Sequence, residues 1–169
     1  MKFISVRLIC VLCFSVFLGN VNAQNNFFND IAETAFKLPS QKRLIVPEKY
    51  RTIRLDTLGL QSFIRLTPSE KSLSNRDMTP VIAIPMPDGT VSRFHIWESA
   101  VLAPELAALN PAIKTFTGQG IDDKTATIKL DWTEFGFHAM ISSPITGAVF
   151  IDPYDISTKT NYIVYHKAD

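Results

Sequence analysis

The sequence predicts an α+β domain that is mostly antiparallel β-sheet with one or two short helices. Three observations support this class. Short runs rich in β-branched and aromatic residues recur without long helices between them, which is typical of strands that pair with their neighbours along the chain. One run, TATIKLDW (125–132), alternates apolar and polar residues, as expected of a strand with one buried face. Two further runs flank Pro87-Asp88-Gly89, a typical hairpin turn.

The first regular elements follow Pro47. YRTIRLD (50–56) predicts a strand, TLGLQSFIRL (57–66) a short helix interrupted by Gly59, and residues 67–78 a polar loop. Residues 80–99 predict an antiparallel hairpin in which Gly89 supplies the positive φ of the turn. Pro85 has no N–H to donate to a sheet, so the first strand of the hairpin is expected to lie at a sheet edge or to end early.

One more helix and one more strand are predicted before the alternating run. Pro104 in a first turn and Pro111 just beyond the last one favour a short helix over 103–111. AIKTFTGQG (112–120) predicts a strand closed by a turn at Gly118-Gln119-Gly120. The glycine pair lacks the third glycine of a dinucleotide-binding loop and leads toward a strand, so a turn is the better interpretation.

The last third of the chain predicts the centre of the sheet. In FGFHAMI (135–141) both faces carry apolar residues, which is typical of an interior strand, and His138 is therefore interpreted as a hydrogen-bonded core residue. GAVFIDPY (147–154) and NYIVYHK (161–167) predict two more strands. The residues expected to form the core are Phe94, Ile96, Ile128, Leu130, Trp132, Phe135, Phe137 and His138.

Residues 1–23 have the order of a secretory signal peptide: a basic start, an apolar run and a small-residue cleavage site between Ala23 and Gln24. The apolar run is short for a transmembrane helix, so the mature product is expected to be secreted, or to pass through the periplasm, with no membrane association. Residues 24–46 are interpreted as a loosely attached leader, and residues 47–169 as one domain.

Composition excludes several classes of function. Both cysteines, Cys10 and Cys13, lie in the predicted signal peptide, so disulfides, thiol catalysis and cysteine-zinc sites are not expected in the mature chain. Without Lys2 and Arg7, 15 of the 17 basic residues remain against 16 acidic ones. A chain this close to neutrality is a poor candidate for binding nucleic acid.

No motif indicates a self-sufficient catalytic site. The three histidines, His95, His138 and His166, are not at the i, i+4 spacing of a zinc helix, and the sequence contains neither His-Glu-x-x-His nor Gly-x-Ser-x-Gly. Glu98 and Glu105 are a carboxylate pair whose separation the sequence does not determine. A small hydrolase built from these dispersed residues stays open as an alternative.

Four segments resemble a known family: IPMPDGTVSRFHIWES (84–99), APELAALNPAIKTFTGQGIDDKTATIKLDWTEFGFHAMI (103–141), GAVFIDPY (147–154) and NYIVYHKAD (161–169). In this order they are similar to the amino-terminal pro-region of bacterial secreted reprolysin-like (adamalysin-type) zinc metalloprotease precursors. The resemblance covers roughly residues 47–169.

The resemblance implies a domain that assists folding of a protease and keeps it latent, with the catalytic domain as its partner in cis. The zinc-binding helix of the family, His-Glu-x-x-His-x-x-Gly-x-x-His, is absent here, so no catalytic, cofactor-binding or metal-binding residue is assigned to this chain and zinc is expected in the missing catalytic domain. A stand-alone exported β-rich binding or surface-interaction module is the alternative that fits the same features.

Overall fold

The structure is a computed structural model that describes residues 26–36, 43, 45–155 and 158–169. The predicted signal peptide, with its cleavage site at Ala23 and Gln24, lies outside these residues. The strands are β1 (Phe28–Asp30), β2 (Arg51–Leu55), β3 (Val81–Pro85), β4 (Val91–Glu98), β5 (Lys114–Gly120), β6 (Thr127–Thr133), β7 (Gly136–Ser143), β8 (Gly147–Pro153) and β9 (Asn161–His166). The helices are α1 (Thr57–Arg65) and α2 (Pro104–Leu109), and single 3₁₀ turns lie at Glu33–Ala35, Glu70–Ser72 and Arg76–Met78.

The nine strands of the described residues belong to one sheet in the order β1-β2-β9-β8-β7-β6-β5-β4-β3, and every neighbouring pair is antiparallel. Strands β3 to β9 follow one another as a meander, and β2 joins that meander through β9. The predicted antiparallel sheet with two short helices is confirmed, but the chain is more β-dominated than the predicted α+β class implies. The sheet curls into a nearly closed barrel.

The inner face of the sheet encloses the main core. Of the predicted core residues, five are buried to 3% exposure or less: Phe94, Ile96, Ile128, Leu130 and Phe137. Helix α1 adds Leu60 and Ile64 to this core. It begins after Asp56, whose side chain accepts a hydrogen bond from the Gly59 N–H and so satisfies one of the free donors of the first turn.

Three predicted core residues lie elsewhere. Phe135 is 65% exposed, because β7 begins only at Gly136, whose φ of 121° turns the chain there. His138 is on the outer face with its side chain 35% exposed, so the prediction of a strand apolar on both sides is wrong. Trp132 is only partly buried and packs against the main core. Strand β7 therefore alternates between a buried and a half-exposed face.

The glycine pair is part of a strand, which corrects the predicted turn. Gly118 and Gly120 both lie in β5 on its buried face. A Cβ on Gly118 would come within 2.6 Å of the His95 carbonyl oxygen and 2.7 Å of Ile128 Cγ2. The turn follows instead at Asp123, which accepts from the Thr125 N–H as expected of a turn-capping aspartate. Glycine is needed at position 118 because neighbouring strands pack too closely for a side chain.

The described part of the leader is packed into the fold, so the prediction of loose attachment is wrong there. Phe28 is 6% exposed in the main core, and β1 pairs with β2. Phe36 joins a second cluster with Tyr154 and Ile163, and its ring lies 4.8 Å from that of Tyr154. Side chains of the leader thus cover part of the outer face of the sheet.

The hairpin prediction is confirmed. Strands β3 and β4 pair from Val81↔His95 to Pro85↔Val91, and Gly89 in the turn has a φ of 92°. Strand β3 is the last strand of the sheet, as predicted from Pro85. The edge position follows because a proline can be placed only where no ladder partner requires its N–H.

Candidate functional site

The sheet ends at β1 and β3, and the first of these edges is short. The Phe27 carbonyl accepts from the Asp56 N–H at 2.7 Å, and the Ile31 N–H donates to the Thr52 carbonyl at 3.2 Å. Since alternate residues of an antiparallel strand face the same neighbour, Phe27 and Ile31 direct their backbone groups to β2. The backbone groups of Phe28 and Asp30 therefore face away from the sheet.

The other edge follows the same rule. The Ile96 N–H donates to the Pro80 carbonyl, and the Met86 N–H to the Thr90 carbonyl, so the even-numbered positions from 80 to 86 face β4. Val81 and Ala83 consequently direct an N–H and a carbonyl away from the sheet. Pro85 presents only a carbonyl there, because it has no N–H.

Arg51 joins the two edges at one end of the sheet. Its Nε and Nη2 donate to the Asp30 carboxylate at 2.5 Å and 2.8 Å, while Nη1 donates to the carbonyl oxygens of Met86 and Thr90 at 2.9 Å and 3.2 Å. The hydrogen bonds from Arg51 lower the pKa of Asp30, although partial burial opposes them. We call this set of contacts the Arg51 clasp.

A cleft of about 530 Å³ lies between the two edges. One wall is polar and is formed from the β1 side, with Asn26, Asn29 and Asp30; the other is apolar and is formed by the hairpin, with Ala83, Pro85 and Val91. Phe28 and Arg51 complete the lining. Unpaired strand edges of this kind bind extended peptides through backbone hydrogen bonds, so the cleft is the candidate binding site.

A second candidate is a row of polar side chains on the outer face of β6 to β9. His138 Nδ1 lies 2.8 Å from Asp152 Oδ1, and Tyr165 donates its hydroxyl to Asp152 Oδ2 at 2.7 Å. Asp131 lies directly opposite His138 in the register of β6 and β7. These four residues, which we call the His138 row, lie on four adjacent strands.

The charges of the His138 row depend on one another. The hydrogen bond to Asp152 raises the pKa of His138, and the negative charge of Asp131 adds to this effect while burial opposes it. Burial raises the pKa of Asp131, against the effect of the nearby His138 charge. A histidine paired with a carboxylate can transfer a proton. The row connects β7, β8 and β9 through the hydrogen bonds of Asp152, and the charge of Asp131 on β6 acts on His138.

The other sequence candidates are separate. His95 Nδ1 lies 3.0 Å from the Thr79 carbonyl oxygen, and Glu98 forms an ion pair with Lys114 at 2.9 Å. Within the described ranges no three His, Cys, Asp or Glu residues are grouped as a metal site requires. His95, His138 and His166 lie on β4, β7 and β9, and the structure does not bring them together.

Sequence reasoning missed Arg51, Asp152 and Tyr165. Arg51 opens a short strand, and no local pattern distinguishes it from Arg54. Asp152 and Tyr165 lie in predicted strands, where the period of two places Asp152 and Phe150 on one face. The available signal was the carboxylate of Asp152 on a strand of mostly apolar residues, because such a carboxylate requires a polar partner.

No protein-family model matches the sequence, and neither a curated protein nor a solved structure is significantly similar to it. Over the part of the chain that the structure describes, no helix is long and apolar enough to cross a membrane.

Proposed function

We propose that this chain is the pro-region of a secreted zinc metalloprotease precursor, and that it assists folding of the catalytic domain and keeps it latent. The catalytic domain would follow in cis and would carry the zinc. Export by the predicted signal peptide, residues 1–23, belongs to the same proposal.

The observation that carries the proposal is the pair of free sheet edges at the cleft. A latency domain has to occupy the substrate-binding cleft of its enzyme, and metalloprotease clefts bind extended peptide along a strand. The hydrogen bonds at the strand ends indicate that Ala83 on one side and Phe28 and Asp30 on the other direct backbone groups away from their partner strands, and all three residues line the cleft. The resemblance of four ordered sequence segments to such pro-regions supports the same function.

Latency in this proposal does not use a thiol. Both cysteines of the chain, Cys10 and Cys13, precede the predicted cleavage site, so a cysteine ligand for the catalytic zinc is not available from the mature chain. In this proposal, latency depends on backbone pairing within the substrate-binding cleft of the protease and on steric cover of that cleft. A carboxylate or a histidine of the chain could also bind the zinc.

The test begins with the reading frame beyond the codon for Asp169. It should encode the His-Glu-x-x-His-x-x-Gly-x-x-His helix, and purified residues 24–169 should inhibit peptide hydrolysis by that catalytic domain. Treating the inhibitor with a thiol-blocking reagent is the matched control and should leave inhibition unchanged. A frame without the zinc helix, or a catalytic domain that residues 24–169 do not inhibit, would refute the proposal.

A stand-alone exported binding module is the second candidate, and the same cleft favours it. A binding module would need the free edges and their lining but no catalytic domain in cis. A stop codon directly after Asp169, together with a stably folded product, would favour this candidate.

A further inference from the structure

We infer that the end of the barrel beside α1 is a binding site for a small aromatic carboxylate, a molecule in which a short chain joins a carboxylate to an aromatic ring. Trp132 and Phe116 would contact the ring, and Arg65 would bind the carboxylate. This site is separate from the cleft between β1 and β3, and it does not depend on the proposed function.

The site lies at the end of the barrel opposite the Arg51 clasp. Strand β2 begins at Arg51 and ends at Leu55, so α1 follows from the far end of the sheet. Strand β4 begins near the clasp, opposite Pro85, and therefore ends, at Glu98, at the same far end. Strand β5 starts and β6 ends there too, because each is antiparallel to its neighbour. The mouth of a β-barrel is a frequent location of small-molecule sites.

A cavity of about 360 Å³ lies between α1 and these strand ends. The volume is near the lower limit of the roughly 300–1,000 Å³ that is typical of ligand sites, so it suits a small molecule. Its apolar lining includes Ile64, which is 7% exposed, Phe116, which is 3% exposed, and the partly buried Trp132. Aromatic side chains pack favourably against another ring in offset or edge-to-face arrangements. The apolar part of the cavity therefore fits an aromatic ring.

The polar part of the lining has more positive than negative charge, since it contains Arg65 and Lys114 but only one acid, Glu98. Glu98 and Lys114 form an ion pair with each other at 2.9 Å. Arg65 is the last residue of α1, and no ion pair between described residues includes it. A guanidinium group binds a carboxylate through two parallel N–H···O bonds. The cavity therefore combines an apolar lining for a ring with a cation for an acidic group.

Arg65 also has a purely structural explanation. A cation in the last turn of a helix interacts favourably with the helix dipole. If this is its only role, the cavity either binds apolar molecules regardless of their charge or binds nothing. An acid and the corresponding alcohol separate these outcomes from the inference, because the two molecules differ in charge and share the same ring.

The experiment adds phenylpropionate, or its neutral analogue phenylpropanol, to isotope-labelled residues 24–169 and follows the NMR signals of the two tryptophan indole N–H groups. Trp132 lines the cavity. Trp97 is 3% exposed and lies on the other face of β4 from the buried Ile96, with Arg76 over its ring. Phenylpropionate should shift the Trp132 signal until it saturates, and should leave unchanged the Trp97 signal and the amide signal of Ala83 in the cleft.

The contribution of Arg65 is measured by substitution. Phenylpropionate should bind roughly tenfold more tightly than phenylpropanol, as expected of a hydrogen-bonded charge pair. Arg65→Gln should weaken binding of the acid to the level of the alcohol. Arg54→Gln is the matched control, because it changes the net charge equally at a residue outside the cavity lining and should leave the affinities unchanged. Both arginines are exposed, so both variants should fold.

Three results would overturn the inference. The first is a Trp132 signal that phenylpropionate does not shift at concentrations up to about 10 mM, which would detect a Kd of about 1 mM. The second is equal affinity for the acid and the alcohol. The third is equal weakening by Arg65→Gln and Arg54→Gln, since Arg65 would then not bind the carboxylate.

Failure of this inference and failure of the proposed function are distinguishable. Binding of phenylpropionate is measured on residues 24–169 without a protease, whereas the proposed function is tested by inhibition of the catalytic domain without added acid. No residue lines both the cavity and the cleft. Either result can therefore be positive when the other is negative.

Discussion

Replacing Phe137 with alanine should remove a large part of the stability of the domain. The ring is 1% exposed and lies 5.8 Å from the ring of Phe28 and 6.2 Å from that of Tyr162. Truncating a buried phenylalanine typically costs about 3–5 kcal/mol, because both the transfer free energy and the packing around the cavity are lost. Phe135→Ala is the matched control, since Phe135 is 65% exposed and should change stability by about 0.5 kcal/mol or less.

The expected loss is large compared with the stability of about 5–15 kcal/mol that is typical of a domain. It should lower the midpoint of thermal unfolding by roughly 10 °C or more in the Phe137→Ala variant. Urea unfolding followed by the fluorescence of Trp97 and Trp132 would measure both variants, with a shifted midpoint and an unchanged slope. Equal losses of unfolding free energy in the two variants would show that β7 extends back to Phe135 and buries both rings. That result would refute the exposed position of Phe135.

Two further predictions concern the His138 row and the glycine in β5. Because the pKa of His138 is raised in the folded state, the stability from its pairing with Asp152 is fully present below about pH 6.5 and is lost as the pH rises through the raised pKa. The midpoint temperature of thermal unfolding should therefore fall between about pH 6 and about pH 9 in the parent, and much less in His138→Asn. Parallel pH curves for the two proteins would contradict the pairing. Gly118→Ala should destabilise by about 1–3 kcal/mol, because the added Cβ would lie 2.7 Å from Ile128 Cγ2, and a variant that unfolds at the parental urea concentration would contradict the close packing of β5.

Local patterns predicted most of the strands. In TATIKLDW, side chains of one parity are buried and those of the other face water, as in Ile128, which is fully buried, and Lys129, which is exposed. The pattern succeeds because a strand has a period of two whatever it pairs with. The same rule, applied at the strand end without knowledge of the turn, placed Phe135 in the core.

The outer face of β7 shows where composition is a poor guide. Ala139 and Ile141 are buried, but His138 and Met140 lie on the half-exposed face. An apolar residue such as Met140 is permitted on the surface, since apolar atoms form a large part of any protein surface. The sequence predicted a two-sided core because it records residue type and not what covers each face.

The candidate site depended on contacts between distant parts of the chain. The Arg51 clasp joins Arg51 to Asp30 and to Met86, which are 21 and 35 residues away. The His138 row joins residues of three strands through Asp152 and Tyr165, and Asp131 of a fourth strand lies opposite His138. Periodicity states only which residues share a face, so it could not show which strands are neighbours.

The sequence by itself determined strands β2 to β9, the hairpin at Gly89 and the edge position of β3, because these follow from backbone rules local to a few residues: the period of two, positive φ at glycine and the missing N–H of proline. Only the tertiary structure decided that β1 joins β2, that β2 pairs with β9 and that β1 and β3 face each other across a cleft. The physical reason is that closure of the sheet is selected by burial of one shared core, to which all strands contribute together.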